Sequence, residues 1–238
     1  MKIRILSAFV AVAISLFGFS QGSVKNISAA EFQKKIEQNP GIILDVRTPG
    51  ETAQGHIPDA SFIDFYDKAF TDKVKLMQKD QPIYVYCRSG GRSAKAAEIL
   101  KQNGFKEVYN LTGGIGAWNS AGFKVKKSSA NTKSEKAALS PQGFQDIIKS
   151  EDVVLVDFNT PWCSPCKKMA PIVQNISTEF DGRARVLKVD VDKNKDLAKA
   201  ENVVGVPVLA IYKNGKEVWR QSGTFTQQEL TSILQEYI

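Results

Sequence analysis

Residues 153–167 read VVLVDFNTPWCSPCK, and they decide the fold of the second half of the chain. Val153 to Phe158 is an apolar run broken by one acid, Asp157, the pattern of a strand buried on both faces. A helix then opens at Cys163-Ser164-Pro165-Cys166 and runs to about Phe180, with proline in a first turn where its missing N–H costs nothing. Delivering a cysteine to a helix N-terminus is a chemical arrangement. The dipole and free N–H groups lower the thiol pKa, and a helix starting at Cys163 leaves that residue exposed. Cys166, one turn in, is placed to resolve a mixed disulfide by attacking Cys163 sulfur. A bridge closing so short a loop restrains the unfolded chain little, so Cys163–Cys166 reads as a redox disulfide and not a staple. Asp157 adds to this, because burying a lone carboxylate is costly and raises its pKa.

The flanking sequence completes a small mixed-sheet domain. Ser140-Pro141 starts a helix, and Arg185 to Val191 is a second strand. Pro207 to Lys213 and Glu217 to Gln221 form a hairpin across Asn214-Gly215, a favoured two-residue turn. Thr226-x-x-Glu229 caps a final helix.

Upstream lies residues 126–138, KKSSANTKSEKAA, which carry no large apolar residue and read as a flexible linker. It separates residues 23–125 from residues 139–238, each of ordinary domain size. A linker of this length spans roughly 20 Å r.m.s..

The first half alternates short apolar strands with amphipathic helices, which implies an α/β fold with a mostly parallel sheet. Ser28-x-x-Glu31 opens a helix, Ile42 to Val46 and Pro82 to Tyr86 are buried strands, and Ser93 to Gln102 is a helix stopped by Gly104. Val108 to Leu111 and Ile115 to Trp118 give a further strand and a short helix. Between the second strand and its helix sits Cys87-Arg88-Ser89-Gly90-Gly91-Arg92-Ser93. Such loops, at the carboxyl ends of strands, are where α/β sheets bind ligands. Gly90 and Gly91 let successive N–H groups curl inward into an anion-binding nest, and the helix that follows adds its own N–H groups. A cysteine there, beside Arg88 and Arg92, has a lowered pKa, and the same cradle suits a persulfide anion.

The remaining numbers narrow the classes. The 238 residues carry three cysteines and one histidine, too few for a four-ligand structural zinc site and the wrong set for a disulfide framework; no cofactor or metal is expected. The formal charge of +7 is concentrated in Lys2, Arg4 and the lysines of residues 126–138, which argues against a nucleic-acid-binding face. Residues 1–20, a short basic head before an apolar core, read as a secretory signal peptide, making the protein exported, periplasmic or extracellular.

Two resemblances follow from these motifs. Residues 23–125 resemble the rhodanese family through Asp45-Val46-Arg47-Thr48-Pro49-Gly50-Glu51, Gly55-His56-Ile57-Pro58-Asp59-Ala60, the Cys87–Ser93 loop, and Gly113-Gly114 followed by Trp118. That resemblance implies sulfur transfer through a Cys87 persulfide, with Arg88, Ser89, Gly90, Gly91, Arg92 and Ser93 as its anion shell. Related phosphatases place five residues between cysteine and arginine; here four separate Cys87 from Arg92. His56 and the Asp45/Arg47 pair read as scaffold.

Residues 139–238 resemble thioredoxin. The resemblance implies supporting roles for Trp162, Pro165, the buried acid Asp157, Lys188 beside it, and Pro207 as the cis proline facing the dithiol. Ser164, Asn159 and Val208 depart from the usual pattern and leave reduction potential and partner choice open. Together the halves imply a small sulfane-sulfur donor (thiosulfate, polysulfide or a persulfide), protein thiols or disulfides as partners, and an outside electron donor, membrane-embedded if the protein is exported. A general thiol-disulfide oxidoreductase whose rhodanese half only binds remains the alternative.

Overall fold

The computed structural model describes residues 23–127 and 138–238. The expected signal segment and residues 128–137 of the expected linker lie outside the described residues.

The first half runs β1 (Ser23–Ile27), α1 (Ala29–Gln38), β2 (Ile42–Asp45), α2 (Pro49–Ala53), β3 (Ser61–Phe62), α3 (Phe70–Lys75), β4 (Ile83–Tyr86), α4 (Gly91–Gln102), β5 (Glu107–Leu111) and α5 (Gly114–Ser120). Its sheet is five parallel strands in the order β1-β5-β4-β2-β3. Every residue of β4 is buried, as a central parallel strand covered on both faces requires. Alternation sends Ile83, Val85 and Cys87 to one face, with Ala96, Ala97 and Leu100 of α4. Tyr84 and Tyr86 go to the other, with Phe32 of α1 and Trp118 of α5.

The second half runs α6 (Pro141–Ser150), β6 (Val153–Asn159), α7 (Ser164–Glu179), β7 (Arg185–Asp190), α8 (Lys195–Ala200), β8 (Val208–Lys213), β9 (Lys216–Ser222) and α9 (Gln227–Gln235). The sheet order is β7-β6-β8-β9, with β6 parallel to β7 and antiparallel to β8. Val153 and Leu155 face α7 and α9. Val154, Val156 and Phe158 face Phe144 and Ile148 of α6 and Leu197 of α8.

One local expectation is revised. Lys126, assigned to the linker, belongs to the first domain, because it exchanges backbone hydrogen bonds of 2.9 and 2.8 Å with His56. The two halves also pack on each other: apolar residues of α3 and its C-terminal flank (Phe70, Val74, Met77) join Val191, Val203 and Val206 in one buried cluster. Among the described residues, no helix is long and apolar enough to cross a membrane.

Candidate active sites

Cys87 follows β4, at the carboxyl end of the middle strand of its sheet. Its Sγ is 3.1 Å from the Gly90 N–H and 3.4 Å from the Ser93 hydroxyl, both donors. The loop curls this way because Gly90 adopts φ 99°, a left-handed value open to glycine. Burial alone would push the Cys87 thiol up. The Ser93 hydroxyl and the N–H groups of Ser93, Ser89 and Gly90 outweigh it, and the pKa falls below the ordinary value.

The arginines behave differently from one another. Arg88 is exposed on the loop. Arg92 is tied to Glu51 by two hydrogen bonds of 2.7 and 2.8 Å, and its charge also acts on the Cys87 sulfur without a hydrogen bond to it. Glu51 also caps α2, accepting from the N–H and hydroxyl of Thr48 at 3.0 Å, and Arg92 chiefly holds its pKa down at about 2. The donors on the sulfur are therefore backbone N–H groups and Ser93, while Arg92 links the loop to α2. Glu51 carries no role in the motif taken alone; its capping-box spacing from Thr48 is the signal the sequence offers. Tyr66, whose ring lies 5.6 Å from the Arg92 guanidinium carbon and is largely exposed, had no sequence signal.

A second clamp comes from α5. Ile115 and Gly116 donate backbone N–H bonds to the carbonyls of Cys87 and Arg88, at 2.9 and 3.2 Å. The scaffold reading of the other motif residues fits the geometry. Asp45 and Arg47 form a buried ion pair of 2.6 Å, and the His56 ring meets Phe62 edge-on.

In the second half Cys163 is the N-cap of α7 and is joined to Cys166 as a disulfide, with a Cα–Cα separation of 5.3 Å. Pro165 stands in the first turn. Trp162 donates its indole N–H to Asp192 at 2.8 Å, and the Val206–Pro207 peptide is cis. Cys163 Sγ lies 3.9 Å from the Val206 carbonyl oxygen. One expectation is corrected here: Cys163 is not exposed but 3% accessible, and its neighbours Trp162 and Ser164 are hydrogen-bonded to Phe62 and Ser61 of the first domain.

Asp157 shares a sheet face with Val153 and Leu155, and its Oδ1 has no hydrogen-bond partner among the described residues. Asn159 donates to Oδ2 at 3.1 Å. Lys188 is its register neighbour on β7, but the ammonium bonds to Gln174 at 3.0 Å and makes no ion pair with Asp157. Burial raises the Asp157 pKa to about 6, only partly opposed by the Lys188 charge and the Asn159 bond. An unfolded aspartate titrates near 3.8. Below about pH 4 the carboxyl is neutral in both states and costs nothing. As pH rises to about 6 the unfolded state ionises first and stability falls, and above that the full cost, roughly 3 kcal/mol, persists. Asp157→Asn is therefore expected to gain about 2–3 kcal/mol on the natural chain at pH 8, relative to their difference at pH 4. Urea unfolding of both proteins at the two pH values checks it; parallel pH profiles would contradict it.

These sites define a class: a dithiol redox domain preceded by a sulfurtransferase-like module. Family models bear this out, with Rhodanese-like domain matching residues 28–121 and Thioredoxin matching residues 135–236. The chain is 37% identical over 94 residues to thioredoxin from Synechocystis, spanning 40% of this chain and 88% of that protein. It is 36% identical over 98 residues to thioredoxin C-2 of Corynebacterium nephridii, spanning 41% and 91%. The solved thioredoxin of Plasmodium falciparum aligns with a TM-score of 0.40 at 32% identity, over 44% of this chain and 100% of that one. The chain belongs to the thioredoxin family and carries a rhodanese-like domain ahead of its thioredoxin domain.

Proposed function

We propose that the protein is an exported sulfur-transfer and dithiol redox enzyme in which Cys87 carries a persulfide and Cys163/Cys166 reduces it. The observation that carries this reading is the Cys87 cradle: a thiol with a depressed pKa, ringed by N–H groups and a hydroxyl with room in their chemistry for a sulfur anion. The Cys87 thiolate attacks a sulfane sulfur of thiosulfate, polysulfide or a small persulfide and displaces the donor's leaving group, sulfite from thiosulfate. The reduced Cys163 thiolate then takes the outer sulfur, giving a Cys163 persulfide and returning the Cys87 thiolate. Cys166 attacks Cys163 Sγ, expels hydrosulfide and closes the disulfide. Two electrons from an outside thiol donor reopen it. Support for export rests on residues 1–20, and in an oxidising compartment a membrane-embedded carrier is the fitting electron source.

Intact mass after treatment with thiosulfate or polysulfide tests this. With Cys163 and Cys166 held as the disulfide the natural chain should gain one sulfur, with the pair reduced it should keep none, and Cys87→Ser should gain none in either state. Failure of every donor to load Cys87, with a reactive dithiol, would favour a second reading: a general thiol-disulfide oxidoreductase whose first domain only covers and presents the dithiol. The contact of that domain with the face around Cys163 is the observation in its favour.

A further inference from the structure

The backbone on either side of Cys163, and Val206 beside it, are covered by the chain's own first domain. Ser61 and Phe62 of β3 lie at the open edge of their sheet. There the Phe62 N–H donates to the Trp162 carbonyl at 3.1 Å, and the Ser164 N–H donates to the Ser61 hydroxyl at 3.0 Å. Just after α3, the Leu76 carbonyl accepts the Val206 N–H at 2.9 Å, and Met77 pairs with Val206 as a parallel bridge. Val206 precedes β8, so its N–H has no partner in its own sheet, and an extended segment lying there is strand addition. This is the backbone edge beside Cys163, since the Val206 carbonyl is 3.9 Å from Cys163 Sγ. Any other polypeptide pairing at this edge must displace Leu76–Met77.

The same geometry separates the two sulfur sites. Tyr86, Asp45 and Phe62 stand level across β4, β2 and β3, and Phe62 bonds onward to Trp162. Three backbone steps of about 4.8 Å put the Cys87 and Cys163 backbones on the order of 14 Å apart. Sulfur transfer needs the reacting atoms within about 3.5 Å.

We infer that this docked arrangement is a closed state, in which the β3 edge and the Leu76–Met77 segment occupy the client surface of the dithiol as an internal pseudo-client. Opening of the interface then precedes access of a protein disulfide, or of the Cys87 persulfide, to Cys163. This deepens the proposed function by naming its gate, and the gate stands or falls by readouts that do not involve Cys87.

The test uses the full, reduced chain. The Val206 amide is bonded across the interface, so its hydrogen-exchange protection measures how seldom the interface opens. The alkylation rate of Cys163 by iodoacetamide, relative to a small unstructured dithiol peptide and at an alkaline pH where both thiols are ionised, should be slowed by the same factor within about threefold. Met77→Glu, which puts a carboxylate into the interface, should lower both factors together by tenfold or more with an unchanged far-UV spectrum. An unprotected Val206 amide, or a protected amide beside a Cys163 that reacts as fast as the peptide, would overturn the closed state. If Met77→Glu does not fold, the comparison within the natural chain decides alone.

Discussion

A Cys163→Ser chain is expected to lose disulfide reduction by about a thousandfold or more, while Cys87 still accepts sulfur. Serine's hydroxyl is not ionised near neutral pH, so the attacking nucleophile is gone, and Cys166 behind it has no mixed disulfide to resolve. The fold should tolerate the change. Loss of a bridge between residues three apart removes little restraint from the unfolded chain. Turnover of a protein disulfide, measured beside the intact mass after polysulfide treatment, checks both halves. Residual turnover within tenfold of the natural chain would mean that Cys163 is not the nucleophile.

Gly114→Ala is expected to destabilise the first domain by at least about 3 kcal/mol and to abolish sulfur loading at Cys87. Gly114 has φ 58°, and a Cβ there would press on backbone: the Cys87 carbonyl oxygen, and the Arg88 carbonyl carbon at 2.6 Å. No side-chain rotation relieves a clash with backbone, so the start of α5 must retreat from the cradle. With it go the Ile115 and Gly116 N–H bonds that hold the Cys87 and Arg88 carbonyls. Gly50→Ala is the matched control in the same domain, since a Cβ at that position meets nothing within 4 Å. Urea unfolding and sulfur uptake of the two variants separate the cases. Equal stability for both would show that α5 does not brace the loop.

The chemistry was legible in the sequence to different depths. Cys87 and the Cys163/Cys166 pair stood out because strand, cysteine and helix start are contiguous, and local spacing alone places them. The capping signals were read for the same reason: Ser140 and Thr226 each cap their helices as the spacing predicts. Short elements escaped. β3 has two residues, and its place at the sheet edge comes from pairing with β2, which no local pattern encodes. α3 and α8 have six residues each, too short for periodicity to declare. These are the parts that build or border the interface, so the burial of Cys163 could not be read from the strand and helix that carry it. Arg92 illustrates a subtler loss. Its position beside Cys87 was plain, but its partner Glu51 lies 41 residues earlier.

The link between the two sites is tested most directly by a single turnover. The natural chain is reduced at the dithiol, loaded with one sulfur at Cys87, and freed of donor; sulfide release and closure of the Cys163–Cys166 bridge are then followed together. The relay predicts one hydrosulfide per disulfide formed, with first-order kinetics independent of protein concentration. Persulfide that persists on Cys87 beside a fully reduced dithiol would contradict it.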